Sequence, residues 1–69
     1  MLDYLNSEMF QAINETIHSE RDRDILKRRK IDGITIERLS EEFEMSVSQI
    51  KRIIRKHESN LYEFKTNQK

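Results

Sequence analysis

The sequence predicts an all-α fold of four helices, in which the third and fourth form a helix-turn-helix. Apolar residues recur at three- and four-residue steps in the first, third and fourth of the predicted helices, as they do along the buried face of an amphipathic helix. The 69 residues include no proline and one glycine, which leaves few turns for an all-β fold. We therefore expect a single domain over residues 1–69, with an N-terminal amphipathic helix at 1–18, the helix-turn-helix unit at 19–65 and a frayed tail at 66–69.

The composition limits how so small a domain is held together and what it binds. The absence of cysteine excludes disulfides and thiolate sites, and with two distant histidines neither a metal nor a cofactor is expected. The formal net charge is zero, but residues 1–20 hold four acids and no Lys or Arg, whereas residues 47–57 hold four cations and no acid. No secretory signal or apolar run of membrane-spanning length is visible, so a soluble cytoplasmic protein is expected.

The first helix is predicted over about residues 2–17, and its apolar stripe has two interpretations. The stripe comprises Leu2, Leu5, Met9, Ile13 and Ile17. Part of it is expected to pack against helices two and four, because a three-helix unit of this size leaves apolar surface there. The other interpretation is a surface for a second copy of the chain or another partner, since two-fold dimers suit helix-turn-helix proteins. That surface would comprise Leu2, Leu5, Met9, Leu61 and Phe64.

The second helix has clear start and stop signals. Ser19 is the expected N-cap, in a capping-box sequence with Asp22 at the third helical position. The helix is expected to run to about Lys30, with Gly33 as the left-handed residue that follows it. Its buried residues are Ile25 and Leu26.

The third and fourth helices are predicted from their caps and their apolar spacing. Thr35 is the expected N-cap of a helix over 36–43, and Ser46 forms a capping box with Gln49 at the start of a helix over about 47–65. The spacing matches that of a helix-turn-helix. The buried faces comprise Leu39, Phe43, Ile50, Ile53 and Ile54, extended by His57, Leu61 and Phe64.

The buried stripe leaves a second face of the fourth helix free, which we interpret as a DNA-reading surface. This face consists of Ser46, Val47, Ser48, Lys51, Arg52, Arg55 and Lys56. The early turns of a recognition helix meet base edges, so Arg52 or Lys51 would bond a guanine and Val47 would contact a thymine methyl. Arg55 and Lys56 would meet phosphates. The simpler alternative is a row of solvated charges, but the position directly after a helix-turn-helix turn favours DNA.

A second basic run, at the end of the second helix, also has two interpretations. It consists of Lys27, Arg28, Arg29 and Lys30. Cations there suit the negative end of the helix dipole, and they are equally well placed to contact phosphates. The sequence does not choose between these two roles.

The segment from Ser19 to about Leu61 resembles region 4 of bacterial sigma-70-type factors and the sigma-like helix-turn-helix proteins of phages and mobile elements. The resemblance rests on ERDRDIL, IDGITIERLSEEFEMS and VSQIKRII. It implies sequence-specific binding of double-stranded DNA in transcriptional control, in a bacterial phage or mobile-element setting. In this respect the chain resembles one module of a sigma factor and not a whole one.

Three positions depart from the pattern of that family. Glu44 stands where the family usually has the turn glycine, Val47 where an arginine often touches DNA, and Ser40 where alanine is common. If Glu44 is left-handed, its side chain costs roughly 1–2 kcal/mol. Because Val47 stands in place of that arginine, the resemblance does not extend to the promoter-element specificity of the family.

Two other functional classes need to be weighed against DNA binding. A protein-interaction module of the same fold would bind RNA polymerase, a sigma factor or another regulator through the first helix and the acidic third helix. The near-neutral total charge and Val47 favour this class. An enzyme is not expected, because the cluster of Glu41, Glu42 and Glu44 has no His or Cys nearby in sequence, and the chain has neither a nucleophile elbow nor a glycine-rich phosphate loop.

Overall fold

Four helices account for most of residues 6–66, the part of the chain described by the computed structural model. They are α1 (Asn6–Thr16), α2 (Glu20–Lys30), α3 (Ile36–Phe43) and α4 (Val47–Thr66). Within the described range the elements between helices are turns and not strands, which confirms the all-α prediction. The side chains outside the description are those of Asn6, Tyr62, Phe64, Lys65 and Thr66.

The first helix agrees with the sequence prediction over its described part. Residues 2–5 of the predicted helix lie outside the described residues. At the other end, α1 stops at Thr16, one residue before the predicted Ile17, although the Ile17 amide still donates to the Ile13 carbonyl at 3.1 Å. The difference is therefore a matter of how the last turn is assigned.

The caps of α2 and α3 form as predicted, with one correction. The Ser19 hydroxyl accepts from the Asp22 amide at 3.3 Å, but the Asp22 carboxylate bonds Arg21 and His57 instead of completing the capping box. Gly33 has a φ of 71° and lies in the left-handed region, as predicted. The Thr35 hydroxyl accepts from the Arg38 amide at 3.2 Å and caps α3.

The hydrophobic core lies between α1, α2 and α4, with α3 contributing one fully buried leucine. Its buried residues are Ala12, Ile13, Ile17, Ile25, Leu26, Leu39, Ile50, Ile54 and Leu61. Complete burial of an Ile or Leu side chain contributes about 1.5–3 kcal/mol relative to exposure. The α1 stripe packs on α2 and α4, which confirms that part of it serves as core.

None of the helices in the described range is long and apolar enough to cross a membrane.

Candidate nucleic-acid interface

The turn between α3 and α4 is fixed by two hydrogen bonds between residues that are five positions apart. The Ser40 hydroxyl donates to the Met45 carbonyl at 2.7 Å, and the Met45 amide donates to the Ser40 carbonyl at 3.0 Å. Glu44 has φ 54° and ψ 47°, so the left-handed residue that ends α3 is not a glycine. Left-handed backbone costs such a residue about 1–2 kcal/mol. The turn thus sets the angle at which α4 leaves α3.

The first turn of α4 is closed by a reciprocal capping box, as the sequence predicts. The Gln49 amide donates to the Ser46 hydroxyl at 3.1 Å, and the Ser46 amide donates to the Gln49 side-chain carbonyl at 2.9 Å. Two backbone amides that would otherwise lack partners are satisfied within the protein. The Ser46 hydroxyl is therefore already engaged in the cap.

Helix α4 presents two faces of different chemistry. The inner face carries the core residues of the helix, with His57 buried among them. The outer face is exposed and lines an open groove, and it comprises Ser48, Lys51, Arg52, Arg55 and Lys56. Val47 is half-buried at the edge between the two faces. We call this exposed set the outer face of α4.

The four cations of the outer face have no partner among the described residues. Neither a hydrogen bond nor an ion pair joins Lys51, Arg52, Arg55 or Lys56 to any side chain in that range. Within the described part of the chain their charges are therefore left uncompensated. Such a surface attracts polyanions, because its cations take the place of the counterions condensed on phosphates and so release them.

The basic run of α2 is arranged differently, because each of its four residues has a partner within the chain. Arg28 pairs with Glu42 of α3 and with Asp32, at 3.2 Å in the latter case, and Lys30 pairs with Glu58 of α4. Arg29 donates to the Ile34 carbonyl at 3.0 Å. The Lys27 ammonium lies over the Phe10 ring, 4.2 Å from its centroid.

The Arg28–Glu42 pair shows the electrostatic consequence. Hydrogen bonding to Glu42 raises the pKa of Arg28, and hydrogen bonding to Arg28 lowers the pKa of Glu42. Both groups are stabilised in their charged forms by each other. The Arg28 guanidinium is thereby engaged with an acid of α3.

The two basic segments meet in a groove between α2 and α4. Its lining residues are Arg29, Lys30, Ile36, Lys51, Ile54, Arg55 and Glu58. Because Lys51 and Arg55 belong to the outer face as well, the positive surface continues from α4 onto the end of α2. Glu58 is the single acid in this lining.

A buried pair of ionisable groups, which sequence reasoning missed, joins the first turn of α2 to α4. His57 Nε2 and Asp22 Oδ2 are 3.0 Å apart, and both residues are buried. Burial by itself raises the pKa of Asp22, but hydrogen bonds with His57 and Arg21 outweigh it, and the pKa of Asp22 lies below its usual value.

The other ring nitrogen of His57, Nδ1, is buried without a hydrogen-bond partner among the described residues. A proton on Nδ1 would have no acceptor, so the neutral ring is expected to hold its proton on Nε2 and donate it to Asp22. The sequence signal was the position of His57, three residues after Ile54 on the buried stripe. A histidine on such a stripe needs a partner, and Asp22 provides it.

The predicted partner surface is only partly present. Leu61 is 1% exposed and belongs to the core, which corrects the expectation that it forms part of that surface. The reason is that Leu61 lies on the buried stripe of α4 and belongs to the core cluster that includes Ala12 and Ile13 of α1. Met9 is half-buried against the core, whereas Leu2, Leu5 and the Phe64 side chain lie outside the described residues.

The exposed apolar residue that the structure does show on α1 is Phe10, at 49% exposure. It lines a groove with Ile31, which directly follows α2, and with Phe43 of α3. No cluster of three or more acidic, His or Cys side chains able to hold a metal occurs in the described part of the chain.

An exposed cationic face on the helix that follows a helix-turn-helix turn defines the class of DNA-binding helix-turn-helix domains. Residues 19–60 match the family described as Sigma-70, region 4, and because that match covers more than half of the 69 residues, the chain belongs to this family. The resemblance inferred from ERDRDIL, IDGITIERLSEEFEMS and VSQIKRII is thereby confirmed. Neither a curated protein nor a solved structure matches the chain.

Proposed function

We propose that this chain binds double-stranded DNA in a sequence-specific manner and acts in transcriptional control. The observation that carries the proposal is the outer face of α4, where four exposed cations have no partner among the described residues. Membership of a helix-turn-helix family supports it, because such domains place this helix in the major groove.

In the proposed complex, the first two turns of α4 enter the major groove and read base edges. Ser48 and Arg52 are exposed there, and Arg52 or Lys51 bonds the O6 and N7 atoms of a guanine. Val47, half-buried at the edge of the face, contacts a thymine methyl. Arg55, one turn later, meets phosphates and fixes the register of the helix on the duplex.

Two further contributions to DNA binding are proposed, from the end of the outer face and from the α2 run. Lys56 extends the outer face toward the phosphates of the flanking backbone. The α2 run places Arg29 and Lys30 at the edge of the groove shared with α4, but both are engaged within the chain. Because Glu58 neutralises Lys30, the contribution expected from the α2 run is small.

A protein-interaction module is the second candidate, and one observation favours it. Phe10 is 49% exposed beside Ile31 and Phe43, and an exposed aromatic residue beside a groove is typical of a protein contact. RNA polymerase, another regulator or a second copy of this chain would then be the partner. This candidate does not require the cations of α4.

The test is the binding of a fluorescent mixed-sequence duplex, followed by anisotropy over a series of salt concentrations. The wild type is compared with Lys51→Glu/Arg52→Glu, and Phe10→Ala serves as the variant of the alternative surface. We expect the wild type to bind with a steep salt dependence, the charge-reversal variant not to bind, and Phe10→Ala to bind as the wild type does. Absence of wild-type binding at low salt would overturn the proposal.

A further inference from the structure

Glu58 is the acid in a groove whose other polar lining residues are all cations. The groove between α2 and α4 is lined by Arg29 and Lys30 on one side and by Lys51 and Arg55 on the other. Glu58 follows Arg55 by three residues and Lys51 by seven, so the three side chains lie along one face of α4. Its carboxylate is therefore placed where a phosphate would approach these cations.

The partner of Glu58 is Lys30. Their side chains form an ion pair between α4 and α2, with exposed fractions of 25% for Lys30 and 33% for Glu58. A pair that is this open to solvent contributes little to stability. The core of the α2–α4 interface is provided instead by Ile25, Leu26 and Ile54, which are buried.

We propose that Glu58 attenuates the sequence-independent affinity of this protein for DNA, by neutralising Lys30 and by repelling phosphates from the groove. The inference rests on the proposed DNA binding and assigns a regulator of it. Phosphate contacts supply affinity without sequence information, whereas base contacts supply discrimination. An acid that weakens the phosphate contacts and leaves the base contacts unchanged raises the ratio of specific to non-specific binding.

The geometry separates Glu58 from Ser48 and Arg52, which line only the other groove of α4, whereas Lys51 lines both grooves. With Arg52 as the residue that reads the guanine, the effect of Glu58 is expected to be the same for every DNA sequence. Removal of the Glu58 carboxylate then changes only the part of the DNA affinity that comes from phosphate contacts.

The experiment measures binding of a short mixed-sequence duplex by anisotropy over a salt series, for the wild type, Glu58→Gln and Asp24→Asn. Asp24→Asn is the matched control, because it changes the net charge by the same amount but lies in the groove beside Phe10 and Phe43. We expect Glu58→Gln to bind roughly three- to tenfold more tightly at low salt, with a salt slope steeper by about 0.9, as for one added phosphate contact. Asp24→Asn is expected to stay close to the wild type.

A third variant, Lys30→Gln/Glu58→Gln, removes the ion pair as a unit. Because the pair is neutral, we expect this variant to bind about as tightly as the wild type, and thermal melts by circular dichroism check that it is folded. Weaker binding by this variant than by the wild type would show that Lys30 already contacts DNA, and would contradict the proposed neutralisation.

The outcomes distinguish this inference from the proposed function. If the wild type and all variants fail to bind at low salt, DNA binding itself is refuted. If the wild type binds with a steep salt slope but Glu58→Gln binds no more tightly than Asp24→Asn, DNA binding stands and the role of Glu58 is refuted.

Discussion

The basic run of α2 and the outer face of α4 each carry four cations, yet their surroundings differ. In α2, the acidic partners of Arg28 and Lys30 come from α3 and α4, 14 and 28 residues further along the chain. In α4, the four cations have no such partner among the described residues. Charge that is already compensated holds helices together, whereas uncompensated charge is available to a ligand. The number of cations in a segment is therefore a poor guide to its role.

The largest expected effect comes from removing the cations of the outer face. In Lys51→Ala/Arg52→Ala/Arg55→Ala we expect DNA affinity at low salt to fall on the order of 100-fold or more, and the salt slope to become shallower by roughly 3, because three phosphate or base contacts are lost. Alanine favours helix, so circular dichroism should show an intact fold. Anisotropy with a mixed-sequence duplex measures the loss.

The control for that variant removes the same charge from α2. Lys27→Ala/Arg28→Ala/Lys30→Ala is expected to weaken DNA binding far less and to lower the melting temperature only slightly, because the solvent-accessible ion pairs to Glu42 and Glu58 contribute little to stability. Equal losses of affinity in the two triple variants would show that the two segments do not differ in role.

The second largest effect is expected at the buried pair of the same α2–α4 interface. In Asp22→Ala, His57 stays buried without a partner, and we expect a loss of roughly 3 kcal/mol in the free energy of unfolding. Urea unfolding followed by circular dichroism measures it. Replacement of both residues, as in Asp22→Leu/His57→Leu, is expected to cost much less, because no polar group is then left unpaired. If the loss in the double variant equalled the sum of the losses in Asp22→Leu and His57→Leu, this result would argue against the pairing.

The pH dependence of stability tests whether the charge of Asp22 stabilises the folded protein. The folded-state pKa of Asp22 lies below its usual value, so the stability that its charge contributes is present above the unfolded pKa and is lost as the pH falls through the folded one. We expect urea midpoints to decline below about pH 5 and the gap between the wild type and Asp22→Asn to narrow toward about pH 3. A gap that is constant across this window would contradict the assigned role of Asp22.

The smallest effect is expected in the turn that joins the DNA-reading helix to α3. In Glu44→Gly we expect a gain of about 0.5–1 kcal/mol, because relief of the left-handed strain exceeds the entropy cost of glycine. DNA affinity should be unchanged, since Glu44 is not part of the outer face. Glu41→Gly, inside α3, is the control and should lose about 1 kcal/mol. A loss of stability in Glu44→Gly would indicate that its side chain makes a favourable contact.

The local features of this fold could be predicted from the sequence. The caps at Ser19, Thr35 and Ser46 depend on residues three positions away, and the apolar stripes depend on steps of three and four. The outer face of α4 was predicted by subtraction, because the stripe that includes Ile50 and Ile54 defines the face that remains.

The tertiary pairs could not be predicted, because they depend on how whole helices are placed against each other. Asp22 was expected to complete a local capping box, but a buried histidine 35 residues away competes for its carboxylate. Glu42 and Glu58, which pair with Arg28 and Lys30 from other helices, could not be identified as partners for the same reason. Leu61 was expected at a partner surface, and only the packing of α1 on α4 shows that it is core.

A map of amide chemical-shift changes in the isotope-labelled protein, recorded as a mixed-sequence duplex is added, tests whether α4 is the DNA-reading helix. We expect the largest changes over residues 46–56, with smaller ones at the end of α2 and little change over residues 7–16. The largest changes around Phe10 and Phe43 instead, with none along α4, would contradict it and would make the protein-interaction candidate the better description.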